Sequence, residues 1–188
     1  ESADGDLELF VRSADGSETL QITDNEAQDS DPKWSPNGDR IVFVSDRDGD
    51  SEIFVTNKDG SKIIQITDNE VRDWDPKWSP DGKEIVFLSV PNGNEGEIFA
   101  ASSDGLETRQ ITDNGFWNES PVWSPDGQHI AFSSNFARCE DQATARRCMQ
   151  IPWLATDIFV MKTDGTDVQP LTDLTDDQMG YTVFEWSD

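Results

Sequence analysis

The stretch "DRDGDSE" sets four carboxylates at alternate positions: Asp46, Asp48, Asp50 and Glu52. Oxygen ligands at that spacing suit calcium. The stretch lacks the twelve-residue frame and the closing bidentate glutamate of an EF-hand, and its sibling "VPNGNEGE" keeps only Glu97 in the matching part. Asp and Gly in such a run also build hairpin turns, and that reading is preferred. A second acidic set, Asp29, Asp31, Asp73 and Asp75, precedes two "PKW" segments. It reads either as a cation site or, preferably, as end-capping of exposed strand amides. Calcium is the one cofactor that the sequence raises.

Other chemistry is sparse. There is one histidine, His129, and one tyrosine, Tyr181, and no serine or cysteine stands in a nucleophile motif. Among 39 acidic residues, carboxylate pairs arise by chance and carry no catalytic meaning. An enzyme acting alone is not expected. Cys139 and Cys148, nine positions apart, suggest a local disulfide worth roughly 2–3 kcal/mol in the chain-entropy model; free thiols are the alternative. Two thiolates and one distant histidine make a poor zinc site, and without a C-x-x-C pair redox catalysis has no support. The same segment, residues 135–156, also holds Arg138, Arg146 and Arg147, three of the eight arginines.

Composition narrows the partners. Fourteen basic against 39 acidic residues give a net charge of -25. Such a surface repels phosphate backbones and anionic membranes, which argues against nucleic acid as a partner. It suits solubility, attraction of cations, or a basic partner. The longest apolar runs, such as "IVFV", are strand-sized and far short of the roughly 20 residues of a membrane helix, so no membrane insertion is expected. No amino-terminal targeting segment stands in these 188 residues.

The elements that must position these residues are repeated. Trp34, Trp78 and Trp123 sit in "DPKWSPNG", "DPKWSPDG" and "SPVWSPDG", at spacings of 44 and 45. Each is followed by an apolar run ("RIVFVS", "EIVFLS", "HIAFSS"), then by "EIFV", "EIFA" or "DIFV", a "DG" turn, and "QITDN" or "PLTD". Segments alternating apolar and polar residues between Pro, Asp, Asn and Gly are short strands. Each unit therefore holds four strands, a to d. Four-stranded units at this period mark a β-propeller. Strand a is expected at 32–35, 76–79, 121–124 and 183–187, and strand b at 40–45, 84–89 and 129–134. Strand c is expected at 7–12, 52–57, 96–101 and 157–162, and strand d at 18–22, 63–66, 108–111 and 168–171. The four tryptophans that recur, Trp186 included, are assigned to the core.

"DPKWSPDGKEIVFLS" and "DRDGDSEIFV…DG…QITDN" resemble the TolB-type β-propeller repeat, a WD-like repeat of bacterial secreted proteins and sensor domains. The resemblance covers the chain apart from residues 135–156. It implies an all-β fold of four-stranded antiparallel blades whose innermost strands line a central channel, and an extracellular or periplasmic location. It leaves the partner open, because such propellers are platforms for many ligands. Some propellers of this broad group precede a hydrolase domain or act as polysaccharide lyases; neither a hydrolase nor a histidine cluster stands here. In this reading residues 1–30 are part of a blade, 31–74, 75–119 and 120–180 are blades, 181–188 is a lone strand, and 135–156 is an inserted loop. The chain reads as a piece of a larger ring, or as a small four-bladed ring closed by the Trp186 strand.

Function is expected where the repeat breaks its own rule. The a–b and c–d connections are uniform turns, whereas the d–a and b–c connections share a face that is acidic, variable and dotted with aromatics. The principal expectation is an interaction scaffold that binds a protein or peptide there, using Trp74, Phe116, Trp117, Trp153 and Tyr181 with Arg138, Arg146 and Arg147. The alternative is a module for a carbohydrate or other small ligand on the same aromatics, assisted by calcium. Ordinary packing between blades claims some of these rings in either case. The arginines either dock onto the chain's own acidic loops or reach a partner's carboxylates. Terminal strand edges also invite self-association.

Overall fold

The computed structural model describes residues 5–91, 96–135 and 157–172. Among these residues every regular element is a strand. β1 (Phe10–Arg12) and β2 (Thr19–Gln21) form a two-stranded antiparallel hairpin. Three four-stranded antiparallel sheets follow. The first runs β3 (Asp29–Trp34), β4 (Arg40–Ser45), β5 (Glu52–Asn57), β6 (Ile63–Gln65). The second runs β7 (Asp73–Trp78), β8 (Glu84–Ser89), β9 (Glu97–Ser102), β10 (Thr108–Gln110). The third runs β11 (Asn118–Trp123), β12 (His129–Ser134), β13 (Asp157–Lys162), β14 (Gln169–Pro170).

The second strand of each sheet is where expected, and it is buried on both faces. Alternation then gives each sheet two unlike faces. One bears a cross-strand phenylalanine pair: Phe43 with Phe54, Phe87 with Phe99, and Phe132 with Phe159, with ring centroids 5.7–5.8 Å apart. The other is aliphatic: Val42, Val44, Ile53 and Val55 in the first sheet pack against Phe87 and Trp78 of the second. In the same way Val86, Leu88 and Ile98 of the second sheet meet Phe132 and Phe159 of the third. Phe43 and Phe54 meet Leu9 and Ile22 of the hairpin. The sheets stack front to back, each buried side chain contributing about 1.5–3 kcal/mol through removal of apolar surface from water.

Three expectations are corrected. The inner strands begin three residues earlier than predicted, at Asp29, Asp73 and Asn118, because the ladder continues through a bulge before the proline. Pairing shifts between Ser30 and Lys33, Trp74 and Lys77, and Glu119 and Val122. The extra residue adopts positive φ: Asp31 at 49°, Asp75 at 53°, Ser120 at 51°. The outer strands are shorter than predicted, with β1 starting at Phe10 and β2, β6 and β10 spanning three residues each.

Trp34 is the third correction. Trp78 and Trp123 are 9% and 6% exposed, as core residues should be, but Trp34 is 51% exposed. Trp78 rests on the sheet in front of it, donates its indole N–H to the Lys33 carbonyl at 3.1 Å, and lies under the Arg40 guanidinium at 4.8 Å. In front of Trp34 the described residues supply only the outer hairpin β1–β2, which does not reach an inner strand. The strand expected around Trp186 lies outside the described residues.

Candidate functional site

The bulges place the site. In a regular strand, residues i and i+2 share a face, so Asp29 and Asp31 would point the same way. With Asp31 in the left-handed region they part company. Asp29 and Asp73 turn inward and are 2% and 0% exposed. Asp31 and Asp75 turn to the groove between the inner strands, each ion-paired with the lysine two residues on, Lys33 or Lys77. The four aspartates therefore do not form one cation site at the channel mouth.

The groove encloses about 530 Å³ and is open to solvent. Its walls come from the starts of all three inner strands (Ser30 and Asp31, Trp74 and Asp75, Glu119 and Ser120). Val44 and Leu88 supply its apolar patches, and Ser51 and Arg72 come from the loops above. Glu119 accepts the indole N–H of Trp117. The site is thus a polar trough with a half-buried tryptophan on one wall and carboxylates spaced along it.

The inward aspartates belong to a motif that recurs between sheets. After β2, β6 and β10, "TDN" folds back onto a glutamate at or just before the start of the preceding strand: Glu8, Glu52 or Glu97. Thr23, Thr67 and Thr112 accept the backbone N–H of Leu9, Ile53 and Ile98 at 2.8–2.9 Å. The backbone N–H of Asn25, Asn69 and Asn114 bonds Glu8, Glu52 and Glu97 at 2.6, 2.8 and 3.3 Å. Asn25 and Asn69 then pass their side-chain amides to Asp29 and Asp73 of the next sheet, at 2.7 and 2.9 Å. Burial pushes the Glu52 carboxyl up to about 7, with Asp73 beside it adding to the effect, and raises Asp73 and Glu97 as well. These clasps escaped the sequence reading, although the co-recurrence of "TDN" with an acid before "IF" was a usable signal.

The calcium quartet is dispersed. Asp46 accepts the Gln28 backbone N–H at 2.7 Å, Asp48 takes the Gln65 amide, and Glu52 is fully buried in its clasp. Among the described residues no three acidic, histidine or cysteine side chains are grouped to hold a metal ion. Of the expected aromatics, Trp74 lines the groove. Trp117 stands behind Glu119, its backbone N–H bonded to the Asn135 side chain at 3.1 Å, and Phe116 follows the Asn114 turn at 3.0 Å. Arg138, Cys139, Arg146, Arg147, Cys148, Trp153 and Tyr181 lie outside the described residues. Sequence reasoning missed Arg72, Glu119 and Ser120. Ser120 was findable as the third residue standing before a "P-x-W" triplet, alongside Asp31 and Asp75.

A family model for the TolB beta propeller domain matches residues 1–145. The chain belongs to that family. A TolB from Agrobacterium tumefaciens superposes with a TM-score of 0.70 at 27% identity, over 92% of this chain and 58% of that one. The TolB from Acinetobacter baumannii gives 0.66 at 21%, over 90% of this chain and 38% of that one. An oligogalacturonate lyase from Vibrio parahaemolyticus gives 0.60 at 13%, over 87% and 46%, a likeness of fold alone. The chain thus spans little more than half the length of the first of these proteins and less of the others. Comparison with curated protein sequences finds no match. No helix among the described residues of this TolB-type propeller is long and apolar enough to cross a membrane.

Proposed function

We propose that this TolB-type propeller is a non-enzymatic interaction module that holds an extended, basic stretch of a protein or peptide partner in the groove at the mouth of its inner strands. The observation that carries the reading is the groove itself. Three inner strands deliver Asp31, Asp75 and Glu119 in sequence along one open trough, the two aspartates shared with Lys33 and Lys77, with Trp74 and Leu88 as apolar anchors. A net charge of -25 would steer a cationic segment toward it. The frequent secretion of the family supports an extracellular or periplasmic setting.

Fluorescence anisotropy with a labelled lysine-rich decapeptide and an acidic one of equal length tests the proposal. Micromolar binding of the basic peptide is expected, weakening as salt rises and falling at least about fivefold in Trp74→Ala and Glu119→Gln. Equal binding of both peptides, or groove variants that bind like the parent, would overturn it. Among the described residues the carbohydrate alternative draws support only from Trp74, since Phe116 and Trp117 do not line the groove.

A further inference from the structure

The three clasps solve one electrostatic problem in three ways. Each joins a glutamate (Glu8, Glu52 or Glu97), through the asparagine turn, to the residue that opens the next sheet. In the first clasp that residue is Asp29, and Arg47 neutralises it with contacts of 3.0 and 3.2 Å to its two oxygens. In the third it is Asn118, an uncharged amide that donates to Glu97 at 3.2 Å. The second clasp has neither device. Its residue is Asp73, paired with Ser89 as Asp29 is paired with Ser45. Two places beyond Ser89, where Arg47 would stand, is Pro91.

Glu52 and Asp73 are each fully buried, and Asn69 donates its one side-chain amide toward both, at 3.4 and 2.9 Å. The groups facing them are Thr67 and Asn69 from the turn after β6, and Ser89 from β8. None of these is charged, and among the described residues no cation is paired with either carboxylate. Two bare anions in that setting repel each other in a poorly solvated site.

We propose that the Glu52–Asn69–Asp73 clasp between the first and second sheets holds one shared proton, and that it loosens more than the clasps on either side when that proton leaves. Glu52 is the protonated partner and its O–H donates to the Asp73 carboxylate. The sign follows from linkage. An open clasp binds the proton only below the ordinary glutamate range, near 4.5, whereas the closed clasp keeps it until about pH 7. Closure is therefore favoured most at low pH and is lost as pH rises across that window. Asp73 lies between Arg72 and Trp74, so the proton governs how firmly one groove wall is held, whatever the groove binds.

Amide hydrogen exchange on the full chain tests this, read as protection factors at Ile53 and Asn69 against Ile98 and Asn114 of the third clasp. Between pH 5 and 8 the first pair should lose roughly tenfold to a hundredfold in protection and the second pair clearly less, since burial raises Glu97 as well but the uncharged Asn118 faces it in place of a second carboxylate. Asp73→Asn, which copies Asn118, and Pro91→Arg, which supplies the missing cation, should each abolish the difference. The carbon-13 shift of the Glu52 carboxyl should titrate near 7. A midpoint below 5, parallel behaviour of the two clasps, or variants that keep the parent's pH dependence would overturn the proposal. So would full protection at pH 8 that appears on adding calcium and vanishes with chelator, which would make the occupant a metal ion.

Discussion

Gly60, Gly105 and Gly165 occupy the same place in three hairpin turns, each with φ between 74° and 83°. A β-carbon there would lie 2.7, 2.9 and 2.3 Å from the carbonyl oxygen of Ile22, Gln65 and Ile111 on the sheet in front. These glycines answer to two demands, the left-handed turn and the close approach of a neighbour. Gly38, in the other hairpin turn at φ 71°, has nothing within 4 Å of the same position. Gly38→Ala should cost about 1–2 kcal/mol, the strain of a side chain in the left-handed region. Gly105→Ala should cost at least about 1 kcal/mol more, because backbone must shift as well. Urea denaturation of the two variants checks the difference, and equal costs would remove the packing role.

At the scale of the element, the tryptophan repeat makes a sharper comparison. Trp78→Ala should cost about 3–5 kcal/mol, since a large ring and a hydrogen bond leave a packed seam. Trp34→Ala should cost less than half as much, its ring being half in water. Thermal melts of the two proteins measure this directly. The pair also shows what was legible in the sequence. Strand order follows from the repeat and its turn residues, the second strands and their two-faced burial from unbroken apolar runs, and "RIVFVS" could be placed to the residue. The starts of the inner strands could not be. Pro32 reads as a strand boundary, and only a ladder that tolerates a bulge carries the strand back to Asp29. For the site, acidic spacing suggested shared ligands because alternation was extended through a loop and a bulge, where it fails. Glu52, raised as a calcium ligand beside the preferred turn reading, is instead buried between the Asn69 turn and Asp73.

For the whole molecule, the dominant quantity is charge. With a net charge of -25, long-range repulsion opposes the compact state and is screened by salt. Raising ionic strength from about 20 mM to about 500 mM should raise the melting temperature by a few degrees, as calorimetry would show; an unchanged value would mean that local ion pairs already balance the surface. The amino-terminal hairpin matters for a different reason. Phe43 and Phe54, 0% and 3% exposed, owe that burial to Leu9 and Ile22. Deleting residues 1–22 should uncover them and produce oligomers or aggregate in sedimentation, where a monomer with unchanged melting would count against the stacking described above.

Because each sheet offers a phenylalanine front and an aliphatic back, the stack has a direction, like a column of cups. A unit can be added or removed between two others without redesigning either neighbour, provided that its front and back are kept. The chain is therefore grammatical at the level of the 44-residue word. Duplicating residues 31–74 in place should give a longer protein whose new seam repeats an existing one, with stability growing by roughly one interface per added unit. Inverting a unit, with the same composition and the same strands, should give nothing that folds.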